Sequence, residues 1–350
     1  MSSFVRFANT DIVNDTARIT TSTWTGNTNE LTAVHTSSLQ AVFGSPTSSG
    51  AHFIEVHDKA TSDATAEVQY SVAYGHVGGS GSLDFTNAVG SKGLSPTRNI
   101  YSQYRQLVFG TEGQNFTFTD HTPDDIYVIN INRSRYKHNL KPGSLNLKFG
   151  SGSIKINLTD DSITATGSST ITNAGRQFNI VSGSNGVRKG ASTVQITNSG
   201  SYGFFYPDSG FIILNPDALD HDLKKKNSGG GNFGDVVPGI GSNTEDKNHE
   251  KLSNAIIQGA SFIVDSEEKV SSTYYFARAR NFEYNYTTNP SFTDSNGNVL
   301  INSMIDNPTT YITTVGMYNE EGDLLAVAKL SQPITKDFTK EALIRVKLDY

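Results

Sequence analysis

The chain of 350 residues contains no cysteine. This absence excludes disulfide bonds, thiolate catalysis, and zinc or iron–sulfur sites built on sulfur ligands. Long apolar runs are also missing, since no stretch approaches the roughly 20 apolar residues of a membrane-spanning helix. The first residues, Met1–Arg6, lack the apolar core of a signal peptide. The sequence therefore predicts a soluble protein that is made in a cytoplasm and does not contact a membrane.

Charged residues are sparse, and their balance is slightly acidic. They make up 18% of the chain, and the formal net charge is −6. Phosphate binding requires a surplus of Lys and Arg, so this balance argues against nucleic acid as a partner. Met (3) is rare, whereas Phe (19) and Tyr (15) are plentiful, and aromatic residues favour strands. The composition indicates a globular, strand-rich protein.

Motifs for phosphate, dinucleotide and zinc binding and for nucleophilic catalysis are absent. Glu55 and His57 share a strand face and are the best metal candidates, but a site would still need three ligands from separate segments. Adjacent acids occur at Asp124–Asp125 and at Asp160–Asp161. Neighbours on an extended chain face opposite ways, so we interpret both pairs as solvated turns and not as acid/base pairs. We expect no cofactor, no metal and no enzymatic activity.

The last third of the chain gives the clearest strand signals. Ala342–Tyr350 alternates between apolar and polar residues, as a half-buried strand does. Tyr311–Tyr318 and Leu324–Leu330 repeat the pattern, and Gly322 between them suits a hairpin loop. These patterns predict three consecutive antiparallel strands.

Helix and strand signals also occur earlier. Ser95 and Pro96 suit the start of a helix, which we predict near 96–109. Ile126–Arg133 is apolar on both faces at first and predicts a central strand. A second short helix is predicted at Leu252–Phe262. Two hairpins are predicted, one pairing Leu145–Phe149 with Ile154–Leu158 and the other pairing Tyr202–Tyr206 with Phe211–Leu214.

These signals predict a mainly β fold, built of antiparallel β-sandwich domains with one or two short helices. We place a β-rich N-terminal domain at 1–165, with the helix near 96–109, and a C-terminal β-sandwich domain at 166–350. The segment 221–250 is poor in apolar residues and includes Ser228–Gly231. It predicts a mobile exposed loop, with a functional binding loop as the alternative.

Five residues are candidates for contact with a partner. Arg133, Arg135, Lys137 and Lys141 follow the predicted central strand and could bind an acidic protein surface, although a solvated strand end is the plainer interpretation. Trp24 is the only tryptophan and lies in a Ser/Thr-rich arm. Such a residue is more typical of an anchor, docked on its own domain or on a neighbour, than of a ligand platform.

Several stretches carry a resemblance to a known class of protein. They are Tyr101–Arg105, Ile126–Arg133, Gly203–Gly210, Asn281–Pro290 and Tyr311–Asn319. Together they resemble virion structural proteins of large contractile-tailed phages, especially marine and cyanobacterial ones. Val315–Lys329 and the strand after it resemble the terminal β-sandwich of baseplate wedge proteins. The resemblance is loose over 95–350 and strongest over 272–350, and its motifs carry no catalytic residues.

The resemblance implies a non-enzymatic structural subunit of a phage contractile tail. Among such subunits, it favours a baseplate wedge component. It would be made in the host bacterial cytoplasm and reside in the virion tail. Its partners would be other tail and baseplate proteins, in a homo-oligomer or multi-copy assembly. A neck or head–tail connector protein is one alternative. Another is a tail-fibre adaptor or carbohydrate-binding module, since β-sandwiches rich in Tyr, Asn and Gly often bind sugars.

Overall fold

The computed structural model describes residues 4–32, 35–36, 53–78, 97–119, 121–151, 154–164, 169–189, 201–219, 248–286 and 290–350. Within these ranges the protein is mainly β, and its recorded strand pairs are antiparallel. Short helices pack beside the sheets. The predicted fold class, mainly β with antiparallel sheets of the sandwich type, is confirmed.

The elements are numbered in chain order. The strands are β1 Ile12–Ser22, β2 Glu30–Leu31, β3 His35–Thr36, β4 Phe53–His57, β5 Val68–His76, β6 Asp125–Ile131, β7 Asn139–Leu140, β8 Asn146–Ser151, β9 Ile154–Asp160, β10 Thr170–Thr172, β11 Gly175–Ser184, β12 Val187–Arg188, β13 Gly203–Tyr206, β14 Phe211–Leu214, β15 Phe262–Ile263, β16 Asp265–Ala279, β17 Thr310–Tyr318, β18 Leu324–Lys336 and β19 Ala342–Asp349. The helices are α1 Thr97–Phe109, α2 Asn248–Gly259 and α3 Ser303–Asp306, with a further helical turn at 216–219.

The chain divides into two compact units. The central unit is Ile19–Glu268, and the terminal unit combines Met1–Arg18 with Lys269–Tyr350. These units do not follow the predicted division at residue 165. The reason is that β9 pairs with β11, so the chain on both sides of residue 165 belongs to one sheet.

The central unit is built on one curled sheet. Its strand order is β2-β15-β8-β9-β11-β13-β14-β6-β5-β4-β3. Leu31 near one end of this order and Val56 near the other belong to the same buried core, so the sheet curls around a shared interior. β6 lies between β14 and β5, with Ile129 in that interior and Val128 in a second core on the other face. The predicted central strand is confirmed.

Helix α1 packs against β5. Tyr101 and Val108 are buried in the second core, and a Cβ on Gly75 of β5 would lie 2.8 Å from the Tyr101 nitrogen. Glycine thus permits the close approach. The predicted helix is confirmed over Thr97–Phe109, and its predicted first residues, 95 and 96, lie outside the described residues.

Helix α2 packs equally closely against β8. A Cβ on Gly259 would lie 1.8 Å from the Lys148 carbonyl oxygen. The helix begins at Asn248 and ends at Gly259, and Ala260 follows with a φ of 57°. The prediction of 252–262 was therefore displaced. Of the predicted loop 221–250, residues 248–250 belong to α2 and the remainder lies outside the described residues.

The predicted hairpins are confirmed. β8 pairs with β9, and β13 pairs with β14 through a turn in which Gly210 has a φ of 73°. β17 pairs with β18 in the terminal unit, where Gly322 has a φ of 92°. Such positive φ values favour glycine, which is why these glycines in the sequence correctly predicted the hairpin turns.

The terminal unit departs from the prediction in how its last strand pairs. β17 and β18 form a two-stranded sheet, whereas β19 pairs with residues Ser272–Ala279 of β16. The prediction of three consecutive antiparallel strands was wrong for this last strand. Ile344 and Val346 of β19 are buried, together with the partly buried Tyr275 of β16, because the two strands share an alternating apolar face.

A buried lysine closes β18. Lys336 is fully buried, and its Nζ donates to the carbonyl oxygens of Asn281 and Asp337, each at 3.0 Å. It also donates to Asn285 Oδ1 at 2.6 Å. Three oxygens therefore satisfy the ammonium and tie the end of the hairpin to the segment around 281–285.

Candidate functional site

Trp24 lies in the core of the central unit and not on its surface. It is 2% exposed, and its Nε1 donates to the Phe262 carbonyl oxygen at 3.0 Å. Its ring packs against Tyr70 and Phe262. The structure therefore shows an anchor docked on its own unit, which leaves this side chain no surface for the partner contact proposed from the sequence.

The four predicted basic residues are divided between internal and exposed roles. Arg135 bonds to Thr25 Oγ1 and pairs with Glu67 at 2.8 Å, so the structure brings it to the segment that carries Trp24. Arg133 is exposed and lies over the Tyr136 ring at 4.6 Å.

The two predicted lysines differ in the same way. Lys137 is exposed. Lys141 is half-buried and close to Asp265: burial raises the pKa of Asp265, and the Lys141 ammonium opposes that rise. Arg133 and Lys137 are therefore the two of the four cations that remain exposed.

The paired acids are more buried than the sequence suggested. Asp125 is 7% exposed and accepts a hydrogen bond from Tyr74 Oη at 2.8 Å, whereas Asp124 is exposed. Asp160 and Asp161 are both buried. The expectation that neighbours face opposite ways holds for Asp124 and Asp125, but the interpretation of these acids as solvated turns was wrong because three of the four are in the interior.

Asp125 belongs to a cluster of titratable groups at one end of the sheet. Burial raises the pKa of Asp125 to about 6, the Tyr74 hydrogen bond lowers it, and the negative charge of Asp217 raises it further. Asp217 Oδ2 lies 2.6 Å from His121 Nε2. His76 pairs with Asp125 across the strands, and burial lowers its pKa. Because the pKa of Asp125 is about 6, this carboxyl changes its protonation just below neutral pH, which makes the cluster sensitive to pH.

The proposed metal pair lies on the outer side of β4. Glu55 and His57 are half-buried, and His35 of β3 is directly opposite His57 in the register. Within the described residues, no group of three or more His, Asp or Glu side chains is arranged to hold a metal ion.

Exposed apolar side chains are concentrated in the terminal unit. Of the 24 large apolar side chains exposed among the described residues, six lie in the central unit and 18 in the terminal unit. Isolated exposed apolar residues are normal, but a contiguous group marks an interaction surface. The terminal unit is thus the better candidate for a partner-binding surface.

One such group lies beside the turn of the β17–β18 hairpin, and we call it the hairpin patch. It consists of Tyr318, Leu324, Leu325 and Val327, which are 44%, 53%, 69% and 58% exposed. A Cβ on Gly316 would meet the side chains of Tyr318 and Leu324 at 3.0 and 3.5 Å, so both cover this glycine on one face.

Other contacts within the terminal unit hold the hairpin patch in place. The Phe4 ring packs edge-on against Tyr318 at 4.9 Å. Asn319 and Asp323 are joined across the turn by hydrogen bonds of 2.7 and 3.0 Å. Arg6 pairs with Glu320 beside them. The patch is therefore presented on an ordered hairpin whose turn carries acidic side chains.

The sequence contained a signal for this patch that alternation alone did not reveal. Leu324–Ala328 is apolar at every position, so β18 carries apolar side chains on both faces. Ala326 and Ala328 turn toward the small core of the terminal unit, while Leu325 and Val327 remain exposed. A strand that is apolar on both faces but covered on one predicts a surface for a partner.

Comparison of the chain with protein-family models, with curated proteins and with solved structures finds no match. Among the described residues, no helix has both the length and the apolar character needed to cross a membrane.

Proposed function

We propose that this protein is a non-enzymatic structural subunit of a phage contractile tail, which acts through protein–protein interfaces. Within the tail, we propose that it is a baseplate wedge component. The observation that carries the proposal is the hairpin patch: Tyr318, Leu324, Leu325 and Val327 are exposed together beside the turn between β17 and β18. Burial of such a surface stabilises association by about 25 cal/mol per Å² of apolar area, before the costs of binding.

The architecture of the terminal unit supports the same proposal. An isolated two-stranded hairpin is marginally stable in water, and within the described residues β17 and β18 pair only with each other. Their outer edges therefore offer backbone N–H and C=O groups to a strand of another protein. A neighbouring subunit that adds a strand here would extend the sheet and bring its own surface next to the patch.

A second strand in the same unit offers a similar opportunity. β1 is at the end of the order β1-β16-β19, and residues 12–18, its part in the terminal unit, are exposed throughout. Ile12 and Val13 are 37% and 46% exposed. A subunit with several exposed β-edges suits an assembly in which each copy contacts more than one neighbour.

The central unit supplies a charged contact for the same role. Arg133 and Lys137 are exposed on the segment that follows β6. Charged groups at the rim of an interface steer association and fix its orientation more than they add affinity. We assign these two residues to contact with an acidic surface of a neighbouring subunit, and the apolar hairpin patch to most of the binding energy.

Immunogold labelling of intact phage particles with an antibody to this protein tests the proposal. Label at the distal end of the tail is expected for a baseplate subunit. Label at the head–tail joint would contradict the baseplate position and favour a neck protein. Absence of the protein from washed particles would refute the structural role altogether.

A further inference from the structure

A cleft in the central unit has the chemistry of a ligand site. It has a volume of about 500 Å³ and lies between the end of α1, the segment 114–117 and the β10–β11 hairpin, and Phe204 of β13 also lines it. Sites for small molecules span about 300–1,000 Å³. The cleft is therefore large enough for a di- or trisaccharide.

The lining is polar but carries no charge among the described residues. Amide side chains come from Gln114, Asn115, Asn173 and Gln177, and three threonines add hydroxyl groups. A charged ligand would have to leave water without a counter-charge here, which is costly. An apolar ligand would leave the amides without hydrogen bonds. The lining thus selects a neutral ligand rich in hydroxyl groups.

Two of the amides are oriented by buried donors. Arg105, which is 7% exposed, donates from Nη1 to Asn115 Oδ1 at 3.1 Å. Tyr206, which is fully buried, donates from Oη to Gln177 Oε1 at 2.9 Å. Because a guanidinium can only donate, it fixes which end of Asn115 faces it. Each amide oxygen is occupied, and each NH₂ group remains as a donor.

The side-chain amides of Gln114 and Asn173 are available to bond a ligand. Gln114 and Asn173 are exposed, and neither side chain makes a hydrogen bond with another described residue. Ile171 at the rim is 72% exposed and offers an apolar surface. Sugar rings combine hydroxyl groups with apolar C–H faces, so a lining of amides, hydroxyls and one apolar side chain suits them.

We propose that this cleft binds a neutral oligosaccharide, with Asn115 and Gln177 as oriented donors and Gln114 and Asn173 as adaptable contacts. This activity goes beyond the structural role proposed above. It stands on a different unit of the chain and on different residues, so failure of one proposal leaves the other intact.

The test uses the full chain and an array of neutral oligosaccharides of N-acetylglucosamine, mannose, galactose and rhamnose, with sialylated and uronic-acid oligosaccharides as the charged comparison. Titration calorimetry then measures the affinity of the best ligand. Saturable binding of at least one neutral oligosaccharide is expected. Absence of any such binding, or preference for a charged one, would overturn the proposal.

The double variant Gln114→Ala/Asn173→Ala should weaken this binding at least about fourfold, since each lost hydrogen bond contributes roughly a factor of 2 to 12. Both side chains are exposed, so the fold should persist, which thermal unfolding verifies. The matched control is Asn130→Ala, which alters an exposed amide outside the cleft and should bind as the wild type does. Unchanged affinity in the double variant would also refute the site.

Discussion

At the scale of single residues, burial decides the behaviour of groups that look alike in the sequence. Asp124 and Asp125 are adjacent, yet one is exposed and the other is 7% exposed and bonded to Tyr74. The sequence identifies two carboxylates beside a proline but not which one the sheet encloses. That choice depends on the register of β5 against β6, which places Asp125 opposite His76.

Asp125 should make stability depend on pH in the direction opposite to most carboxylates. Burial raises its pKa from 3.8 to about 6, so the folded state keeps the proton after the unfolded chain has released it. Its contribution is complete below about pH 4 and is lost as the pH rises through 6. Relative to Asp125→Asn, the wild type should lose up to about 3 kcal/mol of unfolding free energy between pH 4 and pH 8.

Urea unfolding of both proteins across this pH range measures the difference. Asp63→Asn is the control: hydrogen bonds from Thr65 lower the pKa of exposed Asp63 below 3.8, so its contribution is lost only below about pH 4, and the difference between wild type and this variant should stay constant from pH 4 to pH 8. A constant difference between wild type and Asp125→Asn from pH 4 to pH 8 would show that Asp125 is not protonated in the folded state.

At the scale of secondary-structure elements, the sequence predicted the features that are determined by residues close together in the chain. α1 and the hairpins β8–β9, β13–β14 and β17–β18 were located because periodicity and turn residues act over a few positions. The end of α2 was misplaced because Gly259 ends the helix where it meets β8, and the following residues belong to β15. The partner of β19 was missed because pairing of β16 with β19 joins segments about 70 residues apart.

Gly259 tests the contact between α2 and β8. A Cβ there would lie 1.8 Å from the Lys148 carbonyl oxygen, so Gly259→Ala must displace the helix or the strand. We expect a loss of at least about 2 kcal/mol of unfolding free energy, because overpacking a rigid contact outweighs the higher helix propensity of alanine. Gly113→Ala is the matched control, since its nearest neighbour is at 3.7 Å. Equal urea midpoints for the two variants would refute this account.

At the scale of the whole molecule, the predicted class was right and the predicted division was not. Alternating strands and turn residues predict antiparallel β structure, but not that β9 and β11 pair across residue 165. The candidate surfaces show the same limit. Trp24 was predicted to dock on its own domain or on a neighbour, and Arg135 was chosen as part of a basic cluster; the fold uses both internally. The hairpin patch was overlooked because its residues also suit a core strand.

The hairpin patch can be tested by adding charge where burial by a neighbour is proposed. Leu325→Lys/Val327→Lys changes two side chains that are 69% and 58% exposed, so the stability of the isolated protein should change by less than about 1 kcal/mol. Incorporation into particles should fall at least about tenfold, because a buried interface would have to desolvate two unpaired ammonium groups. Ser331→Lys adds charge at an exposed position of β18 outside the patch and should assemble normally. Tagged variants are co-expressed with the wild type during infection and quantified in purified particles. If the double variant entered particles as often as Ser331→Lys, the patch would not be an assembly surface, and the exposed edge of β1 would become the next surface to test.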